Sequence, residues 1–500
     1  MGKELLLAID QGTTGSTALV MDTAGATIGR ATREFHQHFP APGLVEHDAD
    51  EIWQSVLDAV KGALEAARVG GDRISAIGIT NQRETTLIWD RATGRPIHPA
   101  IVWQDRRTAA RCAELRAGGH LEQVRATTGL VLDPYFSGTK AAWILDHVGR
   151  ARAQAEAGEL AFGTIDSFLV WRLSGRERVH VTDVTNASRT LLMSLATLEW
   201  DEAMLQLFGV PRAVLPRIVG SAEQVAVTQG FPHLPDGVPI TGIAGDQQAA
   251  LFGQTCFGVG DAKCTYGTGA FVLVNVGPTP IASRFGLLTT VAWKAGGEVA
   301  FALEGSAFVA GAAVQWLRDG LGVIRTAAEI EALARSVPTS EGVTFVPALS
   351  GLGAPYWDPD ARGVICGLTR GSTAAHLARA TLEGIALEVR DLLGAMADDL
   401  GTPLGRMRVD GGAAANSLLM QFQADVADVA IERPAELEST ARGAAMLAGV
   451  GVGLFGTLAE AAGMSPVDRT FQVEMSADER AAHRRRWADA ITRTRTAATR

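Results

Sequence analysis

The sequence predicts an α/β protein built as two related halves around a cleft, and three observations carry that expectation. A chain of 500 residues is too long for one hydrophobic core. A strand–turn–strand unit with a glycine- and threonine-rich turn occurs at Asp10-Gln-Gly-Thr-Thr14 and again at Tyr266-Gly-Thr-Gly269. Polar knots also interrupt apolar runs at Asn81–Thr85, Ile243–Gly253 and Asp410–Ala413, which points to a buried site assembled from distant parts of the chain.

The elements follow in order. Leu5–Asp10 reads as a buried strand, and Ser16–Met21 as its hairpin partner before the turn at Asp22–Gly25. Asp48, with Glu51 three residues on, reads as the N-cap of a helix whose apolar face holds Ile52, Val56, Ala59, Val60 and Leu64. Strands at Ile74–Ile79 and Thr86–Trp89 flank the Asn81 knot, so the first hundred residues run strand, strand, helix, strand, strand. After residue 260 the same grammar returns. Strands are expected at Ala262–Tyr266, Ala270–Val276, Leu287–Trp293 and Val299–Leu303, then a helix at Ala307–Leu317. A long helix at 376–396 precedes a strand from Arg408, a glycine turn, and a helix over Ala413–Ala427. The boundary between the halves falls at Gly253–Gly260, giving domains of 1–253 and 254–500 with a ligand cleft between them.

Composition removes several classes. The chain is 47% apolar and 20% charged, as in a folded globular protein, and its net charge of −10 with no basic stripe argues against nucleic-acid and anionic-membrane partners. Arg484–Arg486 and the arginine-dotted tail to Arg500 read as a solvated terminal helix. The four cysteines (Cys112, Cys256, Cys264 and Cys366) form no CxxC and no zinc spacing, so a reduced cytoplasmic protein is expected. Leu5–Ile9 is too short for a signal-peptide core, and the uncharged stretches at Cys264–Ser283 and Gly443–Ala459 read as buried strands and a buried helix with a loop, not membrane spans. Lysine is scarce, so phosphate chemistry must rely on backbone N–H groups, arginine and metal.

The turn after Asp10 can wrap backbone donors round a phosphate while Asp10 holds Mg²⁺ directly or through water; an ordinary Asp/Gly/Thr turn is the alternative. Asp246 reads either as a helix cap or as a general base kept ionised at a helix N-terminus, and both can hold at once. Arg83-Glu84, crowded by Asn81, Gln82, Thr85 and Thr86, suits the vicinal hydroxyls of a polyol, with Trp103 and Phe271 as apolar walls; the plainer alternative is an ion pair of little consequence. Trp53, Trp89, Trp143 and Trp171 read as packing, and His36, His38 and His47 as surface residues. There is no P-loop, no dinucleotide fingerprint in a strand–helix context, no HExxH and no GxSxG.

Five segments, in order, resemble the FGGY carbohydrate kinases and, among them, the branch that phosphorylates glycerol. They are Asp10–Thr14, Gly78–Thr86, Thr128–Lys140, Ile243–Gly253 and Gly351–Asp358, joined by Gly363–Leu368 leading into His376–Glu383. The resemblance runs from about residue 5 to about residue 470. It implies two ribonuclease-H-like domains of the actin-like ATPase type flanking a deep cleft, ATP and Mg²⁺ as cosubstrate and metal, glycerol as acceptor, and sn-glycerol 3-phosphate as product. It also implies that Arg83, Glu84, Tyr135, Asp246 and Gln247 bind the glycerol hydroxyls, with Trp103 and Phe271 against its carbons. Thr13, Thr14 and Thr268 would face the phosphates, with Gly15 and Thr17 in the same hairpin. Gly311, Gln315, Gly412 and Asn416 would line the nucleotide pocket, Asp10 would be the Mg²⁺ carboxylate and Asp246 the catalytic base. A homodimer or homotetramer is expected.

The chain departs from the family pattern at Thr17, where an arginine is usual, and at Gly15, where a serine is usual. Ala141 replaces a larger apolar residue. The loop Gln229–Gly237 lacks a glycine-rich effector segment, and Pro232, not His233, holds the position of the phosphorylatable histidine of some members. Neither mode of regulation is therefore expected. A kinase for another polyol or a ketose, an actin-like or chaperone-like ATPase, and a catalytically silent carbohydrate sensor are the competing readings. Arg83-Glu84 with Trp103 and Phe271 favours the small triol, and Asp10 and Asp246 are both present where a silent sensor would have lost one.

Overall fold

The computed structural model describes residues 5–436 and 438–496; residues 1–4 and 497–500, including the Arg500 end of the tail, lie outside the described residues. Two mixed sheets dominate. The first holds β1 (Leu5–Gln11), β2 (Gly15–Asp22), β3 (Thr27–Glu34), β4 (Ile74–Asn81), β5 (Ala226–Val227) and β6 (Pro239–Gly245), in the order β5-β6-β4-β1-β2-β3. β1, β4 and β6 are parallel, and the β1-β2-β3 meander is antiparallel. The second sheet holds β7 (Asp261–Tyr266), β8 (Ala270–Gly277), β9 (Leu288–Ala295), β10 (Glu298–Ala307), β11 (Arg406–Asp410), β12 (Ile431–Pro434) and β13 (Val467–Phe471), in the order β9-β10-β8-β7-β11-β12-β13. Here too an antiparallel run meets parallel strands, β7, β11 and β12, with an antiparallel strand at the far edge. The expected duplication is therefore one of topology.

The central strands read clearly because both their faces are buried: Leu5–Ile9 and every residue of β4 are in the interior. β3 was not expected. It is an edge strand of mostly exposed polar residues, so it lacks the apolar alternation by which strands are found. Helix α1 (Ala49–Ala67) begins where Asp48 accepts the N–H groups of Asp50 and Glu51. Glu51 does not close a reciprocal box; it accepts the His36 N–H at 3.1 Å. The apolar run expected as a helix over Ala307–Leu317 divides, with β10 ending at Ala307 and the helix starting only at Gly311. The long helix spans Ala374–Leu400, four residues further at its C-terminal end than its pattern suggested, and stops at Gly401 with φ 75°. No described helix is long and apolar enough to cross a membrane, and all four cysteines are free.

One helix is placed unexpectedly. With α2 as Asp246–Gly253, α3 as Gly311–Asp319, α4 as Ala374–Leu400 and α5 as Ser417–Ala427, helix α6 (Ser439–Gly451) follows strand β12 of the second sheet. It nevertheless packs on β1, β4 and β6 of the first sheet and on α2. Glycines permit this: a Cβ at Gly78 would strike the Ala444 carbonyl, one at Gly242 the Ala448 backbone, and one at Gly443 the Ala249 carbonyl. Alanines of α6 (Ala441, Ala444, Ala445 and Ala448) complete the contact with Leu6, Ala8 and Leu251.

Gly443→Ala is expected to destabilise the protein by about 1–3 kcal/mol through overpacking against that backbone. Gly394→Ala, in the middle of α4 with open space around the new methyl group, should instead be neutral or stabilising by up to about 1 kcal/mol. Urea unfolding of the two variants beside the wild type checks both.

Candidate active site

The site forms where parallel strands end side by side. In the first sheet Gln11 of β1 pairs with Asn81 of β4, and Asn81 with Gly245 of β6. The residues leaving these strands, Gly12-Thr13, Gln82-Arg83-Glu84 and Asp246-Gln247, are thereby brought together. Asp246 opens α2, and its Oδ1 accepts the N–H of Gln247 at 2.7 Å. The expected cap is not formed: the N-cap position is Gly245, without a side-chain cap bond, and Asp246 is the first residue of the helix itself. About a third of its side chain is accessible (34%), and Arg83 Nε lies 3.3 Å from Oδ1.

Arg83 and Glu84 are almost fully buried and belong to a charged cluster that the sequence did not reveal. Glu304, on β10 of the second sheet, accepts from Arg83 Nη1 at 2.6 Å and Nη2 at 2.9 Å, and from Arg189 Nη2 at 3.0 Å. Arg189 Nε donates to Glu84 Oε1 at 2.6 Å. Burial pulls Glu304 upward, but Arg189 and Arg83 outweigh it and hold this carboxyl at about 2. Burial also raises Glu84, against the pull of Arg83 and Arg189. Glu84 has φ 60°, a left-handed backbone that an ordinary residue adopts only when its surroundings impose it. No sequence pattern links Arg83, Arg189 and Glu304, because the three meet only in the fold.

The polar crowd around Arg83 holds the loop rather than presenting itself to the cleft. Asn81 and Asn186 exchange amide hydrogen bonds at 3.0 and 3.1 Å; Gln82 donates to Gln11 Oε1, and Thr85 donates to Gln82 Oε1. His47, expected at the surface, is fully buried. Its ring bridges Gln37 and Gln82, and Gln37 in turn donates to the Thr13 carbonyl at 2.7 Å. Burial, then His38, pushes His47 down to about 4, so it is neutral support for the turn.

The other polyol-side candidates gather here. Trp103 Nε1 donates to Thr13 Oγ1 at 3.0 Å, its ring meets Tyr135 edge-on at 5.7 Å, and the Tyr135 hydroxyl accepts from Arg83 at 3.3 Å. Gln247 is tied to the second sheet, because Lys263 Nζ donates to its Oε1 and also to Thr265 Oγ1 at 2.9 Å. Phe271 is the direct cross-strand partner of Thr265, which sets it at the same strand end.

The remaining candidates split between the two turns. Thr14 is exposed, and Gly15 lies so close to β3 that a Cβ would come within 2.8 Å of the Arg33 carbonyl. Thr17 is turned away from such a role, its hydroxyl bonded to Thr32 of β3 at 2.9 Å. Arg30 of the same edge strand stands within electrostatic reach of Asp10. Across the cleft, the N–H of Gly311 donates to the Gly267 carbonyl, and those of Ala310 and Ala312 donate to the Thr268 carbonyl. Gly411 abuts Tyr266, which sets the Asp410–Gly412 turn against the turn of Thr268. Gln315 is exposed one helical turn after Gly311, Gly412 is exposed, and Asn416 caps α5 by accepting the Leu419 N–H at 2.9 Å.

Asp10 makes no side-chain hydrogen bond to a described residue. Burial, then Asp246 and Glu438, raises it to about 8, with Arg30 opposing. Burial likewise raises Asp246, against Arg83, the Gln247 N–H and Lys263. Asp10, with no protein cation in contact and the Asp246 carboxylate acting on it, suits a divalent cation. No group of three or more metal-ligating side chains occurs among the described residues, so the fit is to a cation held by one carboxylate plus phosphate oxygens and water, as is usual for Mg²⁺.

Glu304→Ala leaves two buried guanidinium groups short of counter-charge and is expected to cost about 3–5 kcal/mol of stability, measured by urea unfolding. Because Glu304 titrates at about 2 in the fold against its usual 4.5, its contribution is complete above pH 4.5 and is lost as pH falls through that window. The acid slope of stability should be shallower in Glu304→Gln.

Residues 5–253 match the N-terminal domain model of the FGGY family of carbohydrate kinases, and residues 262–452 match its C-terminal domain model. The chain is 57% identical to a glycerol kinase of Aromatoleum aromaticum over 98% of both chains. It is 55% identical to one of Myxococcus xanthus over 98% of this chain and 99% of that one. The structure of Plasmodium falciparum glycerol kinase with ADP superposes with TM-score 0.93 at 35% identity, covering 99% of each chain. A gluconate kinase of Lactobacillus acidophilus, 22% identical over 98% of this chain and 97% of that one, superposes with TM-score 0.87 and shares the fold. The architecture is the expected pair of ribonuclease-H-like domains of the actin-like ATPase type. The chain belongs to the FGGY family of carbohydrate kinases.

Proposed function

We propose that the protein transfers the γ-phosphoryl group of ATP to glycerol, forming sn-glycerol 3-phosphate, with Asp246 as general base. The observation that carries the reading is the placement of Asp246: a half-buried, accessible carboxylate at a helix start, braced by Arg83 and level with the ends of β1 and β4. The glycerol kinases named above, similar over nearly the whole chain, support the choice of glycerol.

In this reading residues 1–253 form the glycerol- and phosphate-binding domain and residues 254–500 the nucleotide-binding domain, from which Phe271 and Thr268 reach the glycerol and the phosphates. Arg83 donates to, and Glu84 accepts from, adjacent hydroxyls, while Tyr135 and Gln247 complete the polar contacts. Trp103 and Phe271 lie against the carbons. The backbone of Thr13-Thr14-Gly15 and the Thr268 turn face the phosphates; Gly311, Gln315, Gly412 and Asn416 border the base and ribose. Thr17 contributes through the hairpin, not through its hydroxyl, which is already bonded. Asp246 Oδ accepts the proton of the terminal hydroxyl as that oxygen attacks, and Arg83 Nε keeps the carboxylate oriented for it. Asp10 would hold Mg²⁺, which when bound offsets the charge on the transferred phosphoryl group. Closure of the two domains excludes water as a competing acceptor. A cytoplasmic enzyme of two or four copies completes the reading.

ADP formation from Mg-ATP should depend on glycerol and be weak with erythritol, xylitol, xylulose or no acceptor. A rate that is the same in every case would sink the reading. Asp246→Asn should retain glycerol binding, measured by calorimetry, and lose on the order of 10²–10⁴ in kcat. A near-normal kcat in that variant removes Asp246 from the base role.

A further inference from the structure

Lys263 stands out among the buried charges because none of the reading above uses it. It lies on β7 in the second sheet and is fully buried. Its Nζ crosses to the first-sheet side of the cleft to donate to Gln247 Oε1, and it donates as well to Thr265 Oγ1 at 2.9 Å. Burial lowers its pKa, against Asp410 and Asp246, which favour the charged form.

The hydrogen-bond chemistry then decides the orientation of Gln247. An ammonium group has three donors and no acceptor, so the amide atom it meets must be the oxygen. The Gln247 Nε2 group, which bonds to no described residue, is left as a donor and nothing else. A carboxamide free to turn could meet a hydroxyl as donor or as acceptor, whereas this one can only donate to an oxygen. A hydroxyl bound there must direct its own proton to another acceptor, and the Asp246 carboxylate is attached to the adjacent residue.

We propose that Lys263 is a positioning residue that locks the Gln247 carboxamide as an obligatory hydrogen-bond donor to a hydroxyl oxygen of the polyol. The proposal rests on the glycerol-phosphorylating reading. It adds a role for the second sheet in orienting the acceptor substrate.

A double-mutant cycle tests it, with the KM values for glycerol and ATP and kcat measured for the wild type, Lys263→Met, Gln247→Ala and the double variant. Lys263→Met should raise the glycerol KM about tenfold, the scale of one well-placed hydrogen bond, with the ATP KM unchanged within about twofold. In the Gln247→Ala background the same change should add no more than about twofold, and Lys263→Arg should recover most of the glycerol KM. Independent, multiplicative effects of the two substitutions would overturn the proposal, as would a glycerol KM that Lys263→Met leaves unchanged. If Lys263→Met does not fold, as judged by its thermal transition, Lys263→Leu, which likewise has no donor, takes its place in the cycle. Wild-type protein whose ADP formation ignores glycerol would remove both this proposal and the reading beneath it. A glycerol-dependent wild type with an indifferent Lys263→Met removes only the proposal.

Discussion

The Glu304 carboxylate, shared between Arg83 and Arg189, is the interaction on which the candidate site depends. Four charges are buried here, two of each sign, and each would be costly to desolvate alone. Three of them belong to the first half of the chain and the fourth to β10 of the second sheet. The geometry of Arg83 is consequently a property of the two halves together. Two of its three nitrogens are engaged by Glu304, so that Nε is the one left facing Asp246. Glu84, in its left-handed backbone conformation, is held by Arg189 through one carboxylate oxygen. A bidentate clamp behind the guanidinium thus converts a flexible side chain into a fixed one.

The same arrangement explains why charge in this cleft is balanced by placement rather than by abundance. Asp10 is disfavoured as an anion by burial and by Asp246, and Asp246 by burial, while Glu304 is strongly favoured as one. These carboxyl groups therefore differ in how far guanidinium contact offsets burial: Glu304 accepts from both Arg83 and Arg189, Asp246 has only Arg83 Nε at 3.3 Å, and Asp10 has no guanidinium in contact. Asp10, left wanting a cation, stands at the end of β1 beside the Gly12–Gly15 turn, and Glu304 lies behind Arg83.

Much of this was legible in the sequence, for identifiable reasons. Strands β1 and β4 are apolar on both faces, and the knots that follow them carry polar side chains in contiguous runs, so Asp10, Arg83-Glu84 and Asp246-Gln247 stand out as candidates in the sequence, and the fold brings their strand ends together. β3 escaped notice because an exposed edge strand has no apolar alternation. Glu304 and Arg189 escaped because each sits singly in an ordinary segment, and only register and packing bring them to Arg83. His47 reads with His36 and His38 as a surface histidine, since nothing in its neighbourhood signals burial, yet it is sealed behind the Gly12–Gly15 turn. The scarcity of lysine bore only on phosphate chemistry; the count said nothing of where Lys263 points.

The crossing of α2 and α6 has a mechanical consequence. Gly253 and Gly443 bring the two helix backbones into direct contact, with no side chain between them. Helix α2 leads from the first sheet to the second, while α6 follows β12 of the second sheet and lies on the first. Such a contact has no cushion to compress and no long side chain to stretch, so it fixes the spacing of the two bodies. Any motion of one sheet against the other that keeps this contact is confined to turning about it, as a jaw turns on a pivot.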